Sequence, residues 1–261
     1  MPARLWLDLT TKDFCARDRG RSIAVLPVAA VEQHGPHLPT GTDTIIAEGY
    51  LARAMALTSD DLDVLILPIQ AVGFSAEHRA FPGTLTISAE TAIRAWTEIG
   101  ESVRRAGVSK LVIVSSHGGN SAVIDLVAQK LRVEHNMLVV TTGWHRFGYP
   151  PGLFPEEELR HGIHAGAVET ALMLAFRPDA VRMDRIKNFA PRTIDMERDF
   201  RRLRAGRPAA FAWMAQDLHP EGAMGDATQA SAEKGEVLAE FGTRAFIDLL
   251  RDVDRFALDA P

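Results

Sequence analysis

The chain has 261 residues, 46% of them hydrophobic, enough to bury one substantial core in a single domain spanning 1–261. A formal net charge of -5 leaves no surplus of Lys and Arg for a phosphate backbone, which excludes nucleic acid as the expected partner. Cys15 is the only cysteine, so neither a disulfide framework nor a cysteine metal cluster is available, and no apolar run reaches membrane-spanning length. The expectation is a cytoplasmic protein that makes no membrane contact.

In chain order, Ser22 to Val31 is a run of small and β-branched apolar residues before a loop rich in His, Gly and Pro, and predicts a buried strand. Asp43 opens DTIIAEGYLARAMAL, whose apolar spacing predicts a helix. The alternation continues with strand Val64 to Ala71, helix Ala89 to Ala106, strand Lys110 to Ser115, helix Ser121 to His135 and strand Met137 to Thr142. Gly166 to Phe176 predicts a further helix stopped near Pro178, and Ala232 to Phe256 a final one. Asp184 to Gly225 is polar and irregular, which predicts a long excursion near the site or at an oligomer contact. Its Arg201, Arg202, Arg204 and Arg207 read as a solvated face. Continuous apolar strands alternating with helices predict an α/β fold, a three-layer α/β/α sandwich around a mostly parallel sheet. In such sheets ligands sit beyond the carboxyl ends of the strands.

The chemically unusual residues fall at those ends. VEQHGPHLPTGTD places Glu32, His34, His37 and Asp43 in one loop. Side chains two apart on an extended backbone point the same way, so Glu32 and His34 can reach one ion. Imidazole mixed with carboxylate suits zinc or manganese, with iron also compatible, better than calcium or magnesium. The same spacing also reads as a polar loop in which Glu32 caps a helix and Asp43 starts the next one. In VIVSSHGGN, His117 ends a strand and Gly118 and Gly119 turn the chain into a helix. Backbone amides there can stabilise a negative oxygen, and a phosphate loop is the competing reading. HGIHAGAVETALML places His161, His164 and Glu169 around a helix start. An inward Glu169 needs a cation or hydrogen-bond donors, whereas an outward one lies on the wet face.

Taken together, E-x-H-G-x-H-x-P-x-G-T-D, S-A-E-H-R-A-F-P-G-T, S-H-G-G-N and H-A-G-x-x-E-T, between about Val25 and Met173, resemble the creatininase (creatinine amidohydrolase) family. The resemblance implies a creatininase-like fold and a hydrolase cleaving a non-peptide C–N bond of a small amide, cyclic amide or formamide through metal-activated water. It implies one or two zinc or manganese ions per chain on Glu32, His34, Asp43 and His117, with Asp43 bridging, and a homo-oligomer, a hexamer. His164 is then the proton shuttle, and Gly118, Gly119, Asn120 and His78 are the substrate-contacting set. Creatininase carries a metal-binding glutamate where this chain has Gly119, so Glu169 is the expected replacement ligand. It also carries a tryptophan where this chain has Arg160, which argues against creatinine. A family peptidase trimming a short peptide, or a noncatalytic nucleotide- or phosphate-binding module, are the alternatives. Trp144 and Phe74 are candidate substrate walls.

Overall fold

The computed structural model describes residues 4–17 and 20–258. Arg4–Leu5 (β1), Ile23–Val28 (β2), Val64–Ile66 (β3), Lys110–Ser115 (β4) and Leu138–Gly143 (β5) form one sheet in the order β1-β3-β2-β4-β5, every pair parallel. Thr11–Ala16 (α1) follows β1, and Thr42–Leu57 (α2), Ala89–Arg105 (α3) and Ser121–His135 (α4) are the crossovers between the later strands. Beyond β5 come Glu156–His161 (α5), Ala167–Phe176 (α6), Thr193–Asp199 (α7), Ala215–Leu218 (α8) and the long Ala232–Arg255 (α9).

Every residue of β2 is buried, as expected of a parallel strand covered on both faces. Successive side chains go to opposite layers. Ile23 and Val25 join Val64, Ile66, Val112 and Val114 in the core beneath α2, α6 and α9. Ala24, Leu26 and Val28 join Leu65, Leu111 and Ile113 in the core beneath α3 and α4, with Trp96 and Leu131. The sandwich expected from the alternation is therefore present. Local signals end its helices: the Ser88 hydroxyl accepts from the Thr91 amide at the start of α3, and Asn136, in the left-handed region at φ 52°, closes α4.

The strands are shorter than the apolar runs suggested. In the parallel ladder the stretch ending at Val31 pairs through Val28 and the one ending at Ala71 through Ile66, after which isolated bridges join Val28 to Gln70 and Val31 to Leu85. Beyond those points the chain leaves the ladder to form the site loops. The edge strand β1 and helix α5 were not anticipated. The excursion from Asp184 to Gly225 is partly ordered, with α7, α8, the short parallel pair Leu203–Arg204 (β6) and Ala209–Ala210 (β7), and its own small core of Ala215, Leu218 and Met224. Arg201, Arg202 and Arg207 are exposed as expected, while the Arg204 guanidinium donates to the Phe200 and Leu203 carbonyls just past α7.

Candidate metal centre

Connections out of β2 reverse direction: α2 leads to β3 on one side, and α3 then crosses back to β4 on the other. The crevice opened by that reversal is where loop residues converge. The first loop is held by backbone bonds from Ala29 N–H to the Gln70 carbonyl (2.9 Å), Glu32 N–H to Thr40 (2.9 Å) and Leu85 N–H to Val31 (2.8 Å). Gly73 is needed at this crossing, because a Cβ there would collide with the Ala29 carbonyl oxygen. Asn120 completes the frame, donating to the Ala29 carbonyl (3.0 Å) and accepting from the Phe74 amide (3.0 Å). Expected to touch substrate, Asn120 is instead fully buried with its amide committed to backbone. It pins three loops together.

Within this frame the loop residues form one buried cluster. Glu32 accepts from the Ser75 hydroxyl through Oε2, while its Oε1 faces His117 Nδ1 at 3.1 Å, His78 Nε2 at 3.5 Å and His164 Nδ1 at 3.6 Å. Asp43, in the first turn of α2, lies between His34 and the same His117: Oδ1 is 3.4 Å from His34 Nε2 and Oδ2 is 3.6 Å from His117 Nδ1. Glu169, in the first turn of α6, brings Oε2 to 3.8 Å from His34 Nε2 and accepts from the Ala165 amide at 2.5 Å. His34, His117 and His164 each turn one nitrogen toward the cluster and the other toward a backbone carbonyl. Those second contacts are Glu32 O for His34 (3.1 Å), Phe74 O for His117 (3.0 Å) and Gln33 O for His164 (2.7 Å). A carbonyl only accepts, so each imidazole, when neutral, keeps its proton on that side and points a lone pair inward.

Some expected residues stand elsewhere. His37 is buried but contacts Thr170 Oγ1 (3.0 Å) and stacks on Phe189, outside the cluster. His161 contacts Thr193 and pairs with Glu197 on α7. Arg160 also pairs with Glu197, on the surface. Gly118 lines the adjoining cavity, whereas His78 sits behind Glu32, taking a 2.7 Å hydrogen bond from the Gln33 amide. Gln33 went unremarked because a neutral amide between two ligand-type residues carries no chemical signal of its own. In the fold it donates to His78 and to the Gly222 carbonyl (3.0 Å), while its backbone carbonyl holds His164. Glu77 was likewise unremarked and lies 3.4 Å from His117 Nε2.

Burial alone would raise the Glu32 carboxyl, yet the imidazoles of His117, His164 and His78 outweigh it and hold that group well below the carboxylate range. Asp43 goes the other way: burial and the neighbouring Glu32 charge push it up to about 6, against the pull of His34 and His117. Burial disfavours a charged His34, but Asp43, Glu169 and Glu32 raise it to about 9. His117 is raised well above its ordinary value against its own burial, chiefly by Glu32. His164 is lowered by burial and by His34, which favours the neutral ring.

Cations fit this arrangement. Glu32 Oε1, His34 Nε2 and Asp43 Oδ2 are buried with no hydrogen-bond partner, a costly state unless a positive charge joins them. Three overlapping donor sets in the cluster suit divalent ions: His34 with Asp43 and Glu169, Glu32 with Glu77 and His117, and Glu32 with His34 and His164. The carboxylates of Glu32, Asp43 and Glu169 would repel a phosphate, which counts against the nucleotide-binding alternative.

Mixed imidazole and carboxylate donors, buried at strand ends beside an open cavity, define a metal-dependent hydrolase acting on a small amide C–N bond with divalent cations as cofactors. Comparison with known proteins agrees. The family model described as creatinine amidohydrolase matches residues 7–250. The mycofactocin precursor peptide peptidase of Mycolicibacterium smegmatis is 33% identical over 82% of this chain and 78% of its own length. Creatinine amidohydrolase of Pseudomonas putida is 29% identical over 94% and 95%. A solved structure described as creatininase Mn superposes with a TM-score of 0.74 at 27% identity, covering 96% of this chain and 98% of that one, and another related structure is described as a Zn-Zn type. This chain belongs to the creatininase family.

Proposed function

We propose that the chain hydrolyses a small, uncharged amide, cyclic amide or formamide, with His34, Asp43 and Glu169 holding one divalent ion, Glu32, Asp43 and His117 the other, and Asp43 shared. The observation that carries the ligand set is Asp43, buried with one oxygen toward His34 and the other toward His117. When bound, the ions polarise the amide carbonyl and make water a competent nucleophile near neutral pH. His164 lines the cavity and is held by the Gln33 carbonyl with Nδ1 free to accept. It takes the proton that the attacking water loses and delivers it to the departing nitrogen as the C–N bond breaks.

The substrate class is read from the cavity, about 270 Å³ beside His164 and Glu169. Ile46, Tyr50, Trp144, Tyr149, Ile163 and Leu172 line it, and no Lys or Arg does, which supports an uncharged substrate with an apolar portion. A short-peptide substrate is the second reading, favoured by the activity in the name of the Mycolicibacterium relative. Assay of the metal-loaded enzyme, with and without chelator, on cyclic amides, formamides and short peptides separates them. Chelator-insensitive cleavage, or none on any amide, refutes the proposal.

No helix among the described residues is long and apolar enough to cross a membrane. We propose a cytoplasmic homo-oligomer, a hexamer, acting as a single domain over 1–261. Support comes from the open edge at β5 and the neighbouring α4, where Leu126 and Val133 are 58% and 70% exposed. A monomer by light scattering at micromolar concentration refutes the oligomer.

A further inference from the structure

We infer that Glu77 is a positioning residue for the ion on the His117 side, backing that imidazole with a negative charge in the volume that glycine at 119 leaves free. Glu77 lies in the short turn Ala76–His78 of the second loop, its side chain 17% exposed. Its Oε1 is 3.4 Å from His117 Nε2, the nitrogen that already donates to the Phe74 carbonyl at 3.0 Å. The opposite nitrogen, Nδ1, faces Glu32 Oε1 and Asp43 Oδ2 at 3.1 and 3.6 Å. The imidazole thus stands between a carboxylate behind it and the cation-binding oxygens in front.

The two rear contacts do different work. Phe74 is neutral and sets the tautomer and ring angle. Glu77 adds a charge that drives electron density toward Nδ1 and makes it a stronger donor to a cation, as carboxylates behind ligand histidines do. Space explains why this chain uses Glu77. A Cβ on residue 119 would collide with both Glu77 Oε1 and His117 Nε2, so a side chain at 119 and Glu77 in its present position exclude one another. Glycine here is the condition for a carboxylate arriving from another loop. The HGGN motif and the SAEH motif are therefore parts of one device.

The inference rests on His117 being a ligand, so the test includes that variant. Zinc titration of the full chain at fixed pH against a competing chelating dye should resolve two classes of ion. Glu77→Gln, which keeps the shape and removes the charge, should weaken the His117-side class by about 10- to 100-fold and leave the other class unchanged. The melting temperature of the ion-free protein should not move. Glu77→Ala should weaken the same class at least as much, and guards against an unforeseen contact made by the Gln amide. Unchanged affinity in both variants overturns the inference, as does a shift of both classes together, which marks a structural role. Complete loss of one ion in Glu77→Gln also overturns it, because Glu77 would then be a ligand. If His117→Ala keeps both ions, the ligand assignment fails as well; if it loses one while Glu77→Gln loses nothing, only the role of Glu77 fails.

Discussion

Asp43 is the residue at which metal binding and stability of the ion-free protein should oppose each other. Its carboxylate is fully buried, one oxygen has no hydrogen-bond partner, and its pKa is raised from 3.8 to about 6 by burial and by Glu32. A carboxyl whose pKa rises on folding favours the native state below pH 3.8, and that contribution is lost as pH rises through 6. At pH 7.5 the ionised group is therefore a net cost of roughly 3 kcal/mol, taking about 1.36 kcal/mol per pH unit. Asp43→Asn keeps the volume and removes the charge. In the chelated protein it should stabilise the fold by about 1 to 3 kcal/mol, the lower figure allowing for the support that the Asp43 charge gives to the protonated His34 ring. At roughly 2 to 4 °C per kcal/mol for a chain of this size, the melting temperature should rise by several degrees. The gain should grow between pH 4 and 6 and level off above. Adding zinc should reverse the ranking, because wild type binds and the variant has lost the shared ligand. Urea unfolding with and without chelator at several pH values reads all of this. A variant less stable than wild type without ions, or one that retains both ions, refutes the reasoning.

His164→Ala should keep its metal and lose turnover by about two to four orders of magnitude, the usual scale for general acid–base catalysis. Falling metal content in that variant would make His164 a ligand instead. Glu169→Gln should bring the stoichiometry from two ions toward one, since the His34 side loses a carboxylate; equal content by mass spectrometry after dialysis would reduce Glu169 to the cap it forms on the Ala165 amide. The chelated wild type should also lose stability as pH rises from 6.5 to about 9, because the raised pKa of His34 stabilises the fold below 6.5 and that contribution disappears as the ring deprotonates. Zinc, which requires the neutral ring, should flatten this dependence; a flat profile in the chelated protein counts against the pairing of His34 with Asp43 and Glu169.

What the sequence determined by itself is local in its physics. Runs such as Ile23–Val28 and Leu111–Val114 are apolar on both faces, a pattern that only a strand buried on both sides tolerates, so the parallel sandwich followed from them. Because strand ends converge in such a sheet, Glu32, His34, Asp43, His117 and His164 could be expected near one another. Orientation was not legible, since it depends on which loop crosses which. Asn120 reads as a substrate contact in HGGN and becomes a buried brace only once Ala29 and Phe74 lie beside it. Gln33 and Glu77 have no distinguishing spacing; their roles arise from neighbours 45 or 40 positions away, His78 and His117, brought into contact by the crossing of separate loops. Tertiary structure also decided which nitrogen of each histidine faces inward, because that depends on where the carbonyls of Glu32, Phe74 and Gln33 point, and a carbonyl's direction is set by the folded backbone.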